Sequence, residues 1–223
     1  MCVQYAEDPM RDILEALLNL LFPHKRHRAQ VENVALSEFL SHAAPRTIHT
    51  ADSEVVSVFP YENAIVRDVI WALKYEDSMH AAKLCGESLA EHLLETLSDT
   101  TLYGSAPLLI IPIPLSSERR KERGYNQVER IAHCLAEGLH GRGVLDPLLI
   151  KTRETAPQTK LSRAERLTNV RDVFALKRSV KDRHCLVVDD VVTTGSTLSE
   201  ARRVLAASGA ASVLCCAVAS AGE

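Results

Sequence analysis

The sequence predicts an α/β protein built on an open, mostly parallel sheet flanked by helices. Three observations predict it. Short apolar runs such as Leu108–Ile113 and Val213–Val218 have the unbroken hydrophobicity of strands buried on both faces. In the C-terminal half these runs alternate with segments of helical period. The stretch Val187–Thr197 (VVDDVVTTGST) ends an apolar run on two aspartates and passes through a Thr-Gly-Ser turn into a helix. Open α/β sheets hold ligands at such strand ends.

The elements follow in order. Ile13, Leu14, Leu17, Leu18 and Leu21 lie at helical spacing over residues 10–22, and Pro23 stops that helix. Residues 24–53 are polar, with room for a short helix over Val34–His42. Glu54–Phe59 reads as a strand. Ile65, Val66, Val69, Ile70 and Leu73 make one face of a helix that runs to about Lys74. Ala81–Leu97 reads as another. Leu108–Ile113 is a buried strand, Asn126–Leu139 a helix and Pro147–Lys151 a short strand before a long polar loop. Val173–Leu176 and Cys185–Val188 are strands. Thr197–Ser208 is a helix closed by Gly209, and Val213–Val218 is the last strand. This divides the chain into an N-terminal helical region (1–55) and an α/β domain (56–223).

Composition narrows the function classes. The chain has 223 residues, 46% of them hydrophobic, and a net charge of −3. It is not a generally basic nucleic-acid coat. Lys151–Arg183 carries ten Lys/Arg against four Asp/Glu, a local +6 that leaves −9 elsewhere. A basic segment in an acidic chain suggests an anion site, or simply a solvated loop. The six cysteines, at 2, 85, 134, 185, 215 and 216, form no C-x-x-C pair, and several lie in apolar stretches. That points to a reducing, cytoplasmic setting without a disulfide scaffold or structural zinc. No apolar run is long enough to span a bilayer.

Two stretches carry chemistry. Asp189 and Asp190 stand where vicinal hydroxyls or a metal could be held. Val192, Thr193, Thr194, Gly195, Ser196 and Thr197 then offer backbone N–H groups and hydroxyls at a helix N-terminus, a cradle for phosphate. The Walker A lysine is missing. One ligand with a phosphate and vicinal hydroxyls satisfies both halves, and a 5-phosphoribosyl group is such a ligand. The second stretch runs from Pro112 through Ser116, Arg119, Arg120 and Arg123 to Gln127, again between a buried strand and a helix. Its guanidinium groups suit a pyrophosphate. The bland alternative is a solvated helix entry in which Glu118 and Glu122 partner the bases.

The acidic doublet followed by T-T-G-S-T resembles the signature with which phosphoribosyltransferases bind phosphoribosyl pyrophosphate (PRPP). PIPL with its arginines and RGYNQ (residues 112–127), YENAIVRDVIWALKY (61–75), and Gln158, Leu161, Arg166, Asn169, Val170 and Phe174 resemble the ComF family. These are phosphoribosyltransferase-like proteins linked to bacterial competence for DNA uptake. The resemblance runs from about residue 58 to 219 and implies a type I phosphoribosyltransferase fold. It implies PRPP bound with Mg²⁺ by Asp189, Asp190 and the 192–197 loop, a pyrophosphate met by Ser116, Arg119, Arg120 and Arg123, and catalytic roles for Asp189, Asp190 and Arg123. Thr152–Asn169 would be the mobile loop that closes the site, with Lys160, Arg163 and Arg166 reaching the anion. The reaction implied is transfer of the phosphoribosyl group to a nitrogenous acceptor. The rival is a non-catalytic module that binds nucleotide or single-stranded DNA, or meets competence proteins.

The chain departs from the family pattern at its start. Leu21-Phe22-Pro23 is present, but no cysteine follows until Cys85. His24 and His27 lack a second ligand pair, so the usual zinc module is expected to be missing. Lys74 either faces the site or ends its helix favourably. Trp71 and the N-terminal helix could cover an oligomer partner.

Overall fold

A computed structural model describes residues 30–50, 54–98, 106–153 and 172–222. The helix expected over 10–22, His24, His27, and the loop residues Lys160, Arg163 and Arg166 lie outside them.

The described elements are α1 (Leu36–Leu40), β1 (Arg46–His49), β2 (Glu54–Pro60), α2 (Ala64–Tyr75), α3 (Met79–Ser98), β3 (Leu108–Pro112), α4 (Ser117–Arg123), α5 (Gln127–Gly138), β4 (Gly143–Leu145), β5 (Leu149–Lys151), β6 (Phe174–Leu176), β7 (His184–Val192), α6 (Ser196–Ala207) and β8 (Ser212–Ser220). Six strands form one sheet in the order β1-β2-β8-β7-β3-β4. Its pairs are parallel except β1 with β2. β5 and β6 form a separate antiparallel ribbon.

The pleat sorts the core into two layers. Leu186 and Val188 of β7 pack with Ile110, Val218 and the apolar faces of α2, α3 and α5. Cys185 and Val187 pack with Ile111, Ala217, α6 and the β5–β6 ribbon. A strand buried on both sides needs apolar residues at every position, which is why β3 and β7 read as unbroken runs.

β7 is longer than expected and contains both aspartates. Its C-terminal half stays paired to β8, with Asp189 opposite Ala217, Val191 opposite Ala219 and Val192 opposite Ser220. Those small neighbours leave room for carboxylates in the ladder. β1, β4 and α4 were not expected. β1 is almost wholly exposed, β4 is only three residues long, and α4 buries no side chain, so none has an apolar period to read. Caps could have revealed α4: the Ser116 hydroxyl accepts from the Arg119 amide, and Gly124 closes the helix at φ +79°.

Helices α3 and α5 meet at Gly86. A Cβ there would lie 2.5 Å from Cβ of Cys134, 2.7 Å from the Leu135 nitrogen and 2.8 Å from the Ile131 oxygen. Two of these are backbone atoms of α5, so the helices would have to separate. Gly86→Ala is expected to lose about 2 kcal/mol net despite the better helix propensity of alanine. Urea unfolding measures it, and a stability equal to wild type would contradict the close packing.

Candidate ligand site at the end of β7

Asp189 continues the series of Cys185 and Val187, and Asp190 that of Leu186 and Val188. The adjacent carboxylates therefore leave the strand on opposite faces of the sheet. The sequence assigned them one joint role; the structure gives them different surroundings.

Asp190 is only 6% exposed. Its Oδ2 lies 3.2 Å from Nζ of Lys74, on the last turn of α2, and accepts from Nε2 of Gln127, on the first turn of α5, at 2.8 Å. Burial opposes its charge. The Lys74 ammonium, the Gln127 amide and the Val191 N–H outweigh that and hold the carboxyl below the ordinary carboxylate range. Its contribution to folding is present above that range and fades in acid.

Asp189 is half-buried and lines a small hollow with residues Val191–Leu198. It accepts the Asp190 amide at 2.8 Å. Burial first, and the neighbouring Asp190 charge second, push its carboxyl up to about 7, against the pull of Lys74 and Arg119. The folded protein thus keeps a proton that the unfolded chain sheds near pH 4. The stability this proton brings is lost as pH rises through about 7.

The rest of the hollow is the 193–197 loop. Gly195 sits at φ +72°, and a Cβ there would also meet Thr50 at 2.5 Å. Only glycine fits both conditions. Oγ1 of Thr194 and Oγ of Ser196 are 3.1 Å apart. Thr50 bonds Ser199 at 3.0 Å, so the end of β1 is fastened to the first turn of α6.

The arginines of α4 separate as helical spacing requires. Arg119 lies close enough to Asp189 to lower its pKa. Arg123 is one turn on, its guanidinium 5.0 Å from the ring centre of Tyr75. Its Nε and Nη1 are buried and have no hydrogen-bond partner among the described residues. Arg120 points elsewhere. It reaches Glu129 at 3.5 Å and lines a cleft with Pro114, Lys151 and Lys177. Ser116 is engaged as the cap of α4.

The RGYNQ stretch acts as a latch. The Tyr125 hydroxyl donates to the Leu73 carbonyl at 2.8 Å and accepts the Asp77 amide at 3.1 Å. Arg130 covers the Tyr125 ring and pairs with Asp77. Asn126 caps α5 and donates to the Ile113 carbonyl at 3.1 Å. These contacts place the end of α2, and with it Lys74, beside β7. The sequence of the motif suggests no role for Gln127. Nor does it signal a neighbouring clasp, in which buried Glu200 accepts the Asp172 amide at 2.7 Å and Arg203 bonds Glu200 and Asp172.

Asp189 offers a carboxylate beside loop hydroxyls, a donor set that fits Mg²⁺ held by one carboxylate, substrate oxygens and water. Asp190, committed to Lys74 and Gln127, does not offer the same.

Several known proteins resemble this chain. Residues 88–223 match the model of the phosphoribosyl transferase domain. The DNA utilization protein YhgH of Escherichia coli O6:H1 is 36% identical over 145 residues, 65% of this chain and 63% of that protein. Competence protein ComFC of Bacillus subtilis is 34% identical over 110 residues, 49% of this chain and 43% of that protein. Competence protein F of Haemophilus influenzae is 36% identical over 102 residues, 44% of each chain. The chain thus spans 63% of the first relative's length. Among solved structures, the hypoxanthine phosphoribosyl transferase of Trypanosoma cruzi matches with a TM-score of 0.40 and 15% identity, over 63% of this chain and 65% of that one.

Proposed function

This chain belongs to the phosphoribosyl transferase domain family, in its ComF-like branch, and on that footing we propose that it binds PRPP with Mg²⁺ and transfers the 5-phosphoribosyl group to a nitrogenous acceptor. The observation that carries this reading is the hollow at the end of β7, where Asp189 faces the 193–197 loop.

In this reading the loop holds the 5-phosphate through its N–H groups and hydroxyls at the start of α6. Asp189 accepts from the ribose hydroxyls. Bound Mg²⁺ would supply charge neutralisation for the pyrophosphate, with Asp189 as the protein ligand in place to hold it. Arg119 meets the pyrophosphate, and Arg123, with unsatisfied donors nearby, supports it. The bond from the anomeric carbon to the pyrophosphate oxygen breaks and its electron pair leaves with pyrophosphate. A carbon–nitrogen bond forms to the acceptor, whose N–H proton passes to solvent. Positioning and fixed charge do most of the work.

Calorimetric titration of PRPP tests the reading. Saturable binding that requires Mg²⁺ is expected. Because ligand and metal favour ionised Asp189, affinity should rise, with proton release, between about pH 6 and about pH 8. No binding by folded protein would refute the reading.

A second reading, single-stranded DNA binding, is favoured by one surface. Trp71 and Tyr75 lie 4.8 Å apart, Arg123 stacks on Tyr75, and Arg130 stacks on Tyr125. Tyr75 and Met79 beside them are exposed. Aromatic rings interleaved with arginine suit unpaired bases, and the sequence alone did not show this convergence. Fluorescent oligonucleotides at two salt concentrations test it, and the absence of salt-sensitive binding would dismiss it.

A further inference from the structure

We propose that Lys74 is a positioning residue for the phosphoribosyl site: its ion pair with Asp190 fixes helix α2 against the end of β7 and leaves Asp189 as the carboxylate of the pair that faces a ligand. The proposal rests on the reading of the site given above.

The geometry argues against two simpler roles for Lys74. A lysine that only complements the dipole at a helix end keeps its ammonium in water. Here the side chain is 21% exposed and its Nζ lies 3.2 Å from a carboxylate that is itself buried. Nor does stability call for such a pair. Taking two charges out of water costs about as much as their attraction returns, and apolar residues of similar volume often serve as well. Fold stability alone therefore does not explain an ion pair at the end of an otherwise apolar strand.

What the pair does is join separate parts of the chain at one atom. Oδ2 of Asp190 receives Lys74 from α2 and Gln127 from α5. Gln127 is 3% exposed, and its Oε1 has no donor among the described residues. Its amide is held by the Asp190 carboxylate. Tyr125 bonds the carbonyl of Leu73, immediately before Lys74, which sets the ammonium in place. One residue beyond Asp190 begins the stretch that lines the ligand hollow. Moving Lys74 thus disturbs the strand end from which the phosphate loop departs.

The charged surroundings divide along the same line. Asp190 faces Lys74 from α2, Gln127 from α5, Cys85 from α3 and Asp189 on its own strand, and burial pushes the Cys85 thiol well up, so it stays uncharged. Asp189 faces Arg119 from α4, and Lys74 and Asp190 act on it as well. Among the described residues, Lys74 therefore acts on both carboxylates.

The test uses wild type, Lys74→Met and Lys74→Arg. In each, amide hydrogen exchange of the end of α2 and of residues 191–197 is followed by NMR without ligand, and PRPP with Mg²⁺ is titrated at neutral pH. In Lys74→Met those amides should exchange roughly tenfold or more faster than in wild type, and PRPP affinity should fall roughly tenfold or more. Lys74→Arg keeps the charge and should hold exchange near wild type. If Lys74→Met does not fold, Lys74→Gln, which keeps length and a donor, gives the same readout. Unchanged exchange at these amides in the folded variant overturns the proposal. Faster exchange in a protein whose wild type takes no PRPP upholds the positioning and refutes the ligand reading. Unchanged exchange with normal PRPP binding does the reverse.

Discussion

Asp190→Ala is expected to destabilise the protein by about 3–5 kcal/mol, a fall in melting temperature of roughly 10 °C for a chain of this size. The loss comes from what remains. The largely buried Lys74 ammonium loses the carboxylate it touches, and Gln127 Nε2 loses its acceptor. A partner removed from a buried pair costs far more than the pair contributes. The double variant Asp190→Ala/Lys74→Met removes both charges and should regain a large part of the loss, because the orphaned cation is gone. Urea unfolding of the two single variants and the double variant measures the coupling. A near-neutral Asp190→Ala would mean that Lys74 simply swings into water, and the ion pair would then have no structural role.

The same change one residue earlier should behave oppositely. Asp189 faces the hollow, no cation among the described residues lies against it as Lys74 lies against Asp190, and its carboxyl is held up toward neutrality. Its charge is a burden on the ligand-free fold. Adjacent identical residues with opposite energetic signs follow from the two-residue period of a strand.

That period also marks how far the sequence could be read. The alternation of strands and helices was legible because parallel strands are buried on both faces and helices repeat on one. β3, β8, α2, α3, α5 and α6 all lie close to their expected positions. Elements without an apolar face were not legible, β1 and α4 above all. The loop with its glycine was legible because a positive φ and a close neighbour limit the residue types that fit there. The partition of the aspartates was not. The doublet lies within β7, so each carboxylate meets a different layer, and only the fold says that Lys74, far away in sequence, waits on one side. Local sequence likewise did not separate the arginines of α4. Their spacing turns Arg120 away from Arg119 while Arg119 and Arg123 share a face, but the helix that makes spacing meaningful has no apolar period to read. Aromatic residues make up only 4% of the chain, yet Trp71, Tyr75 and Tyr125 converge from two segments.

In the proposed function Asp189, and not its neighbour, meets the ligand. Titrating PRPP with Mg²⁺ into Asp189→Asn tests this. Asparagine keeps the shape and removes the charge, so the fold should be as stable as wild type or slightly more so. PRPP affinity should fall by about a hundredfold or more, the loss of a charged contact worth about 3 kcal/mol. Wild-type affinity in folded Asp189→Asn would contradict the account and place the ligand elsewhere on the molecule.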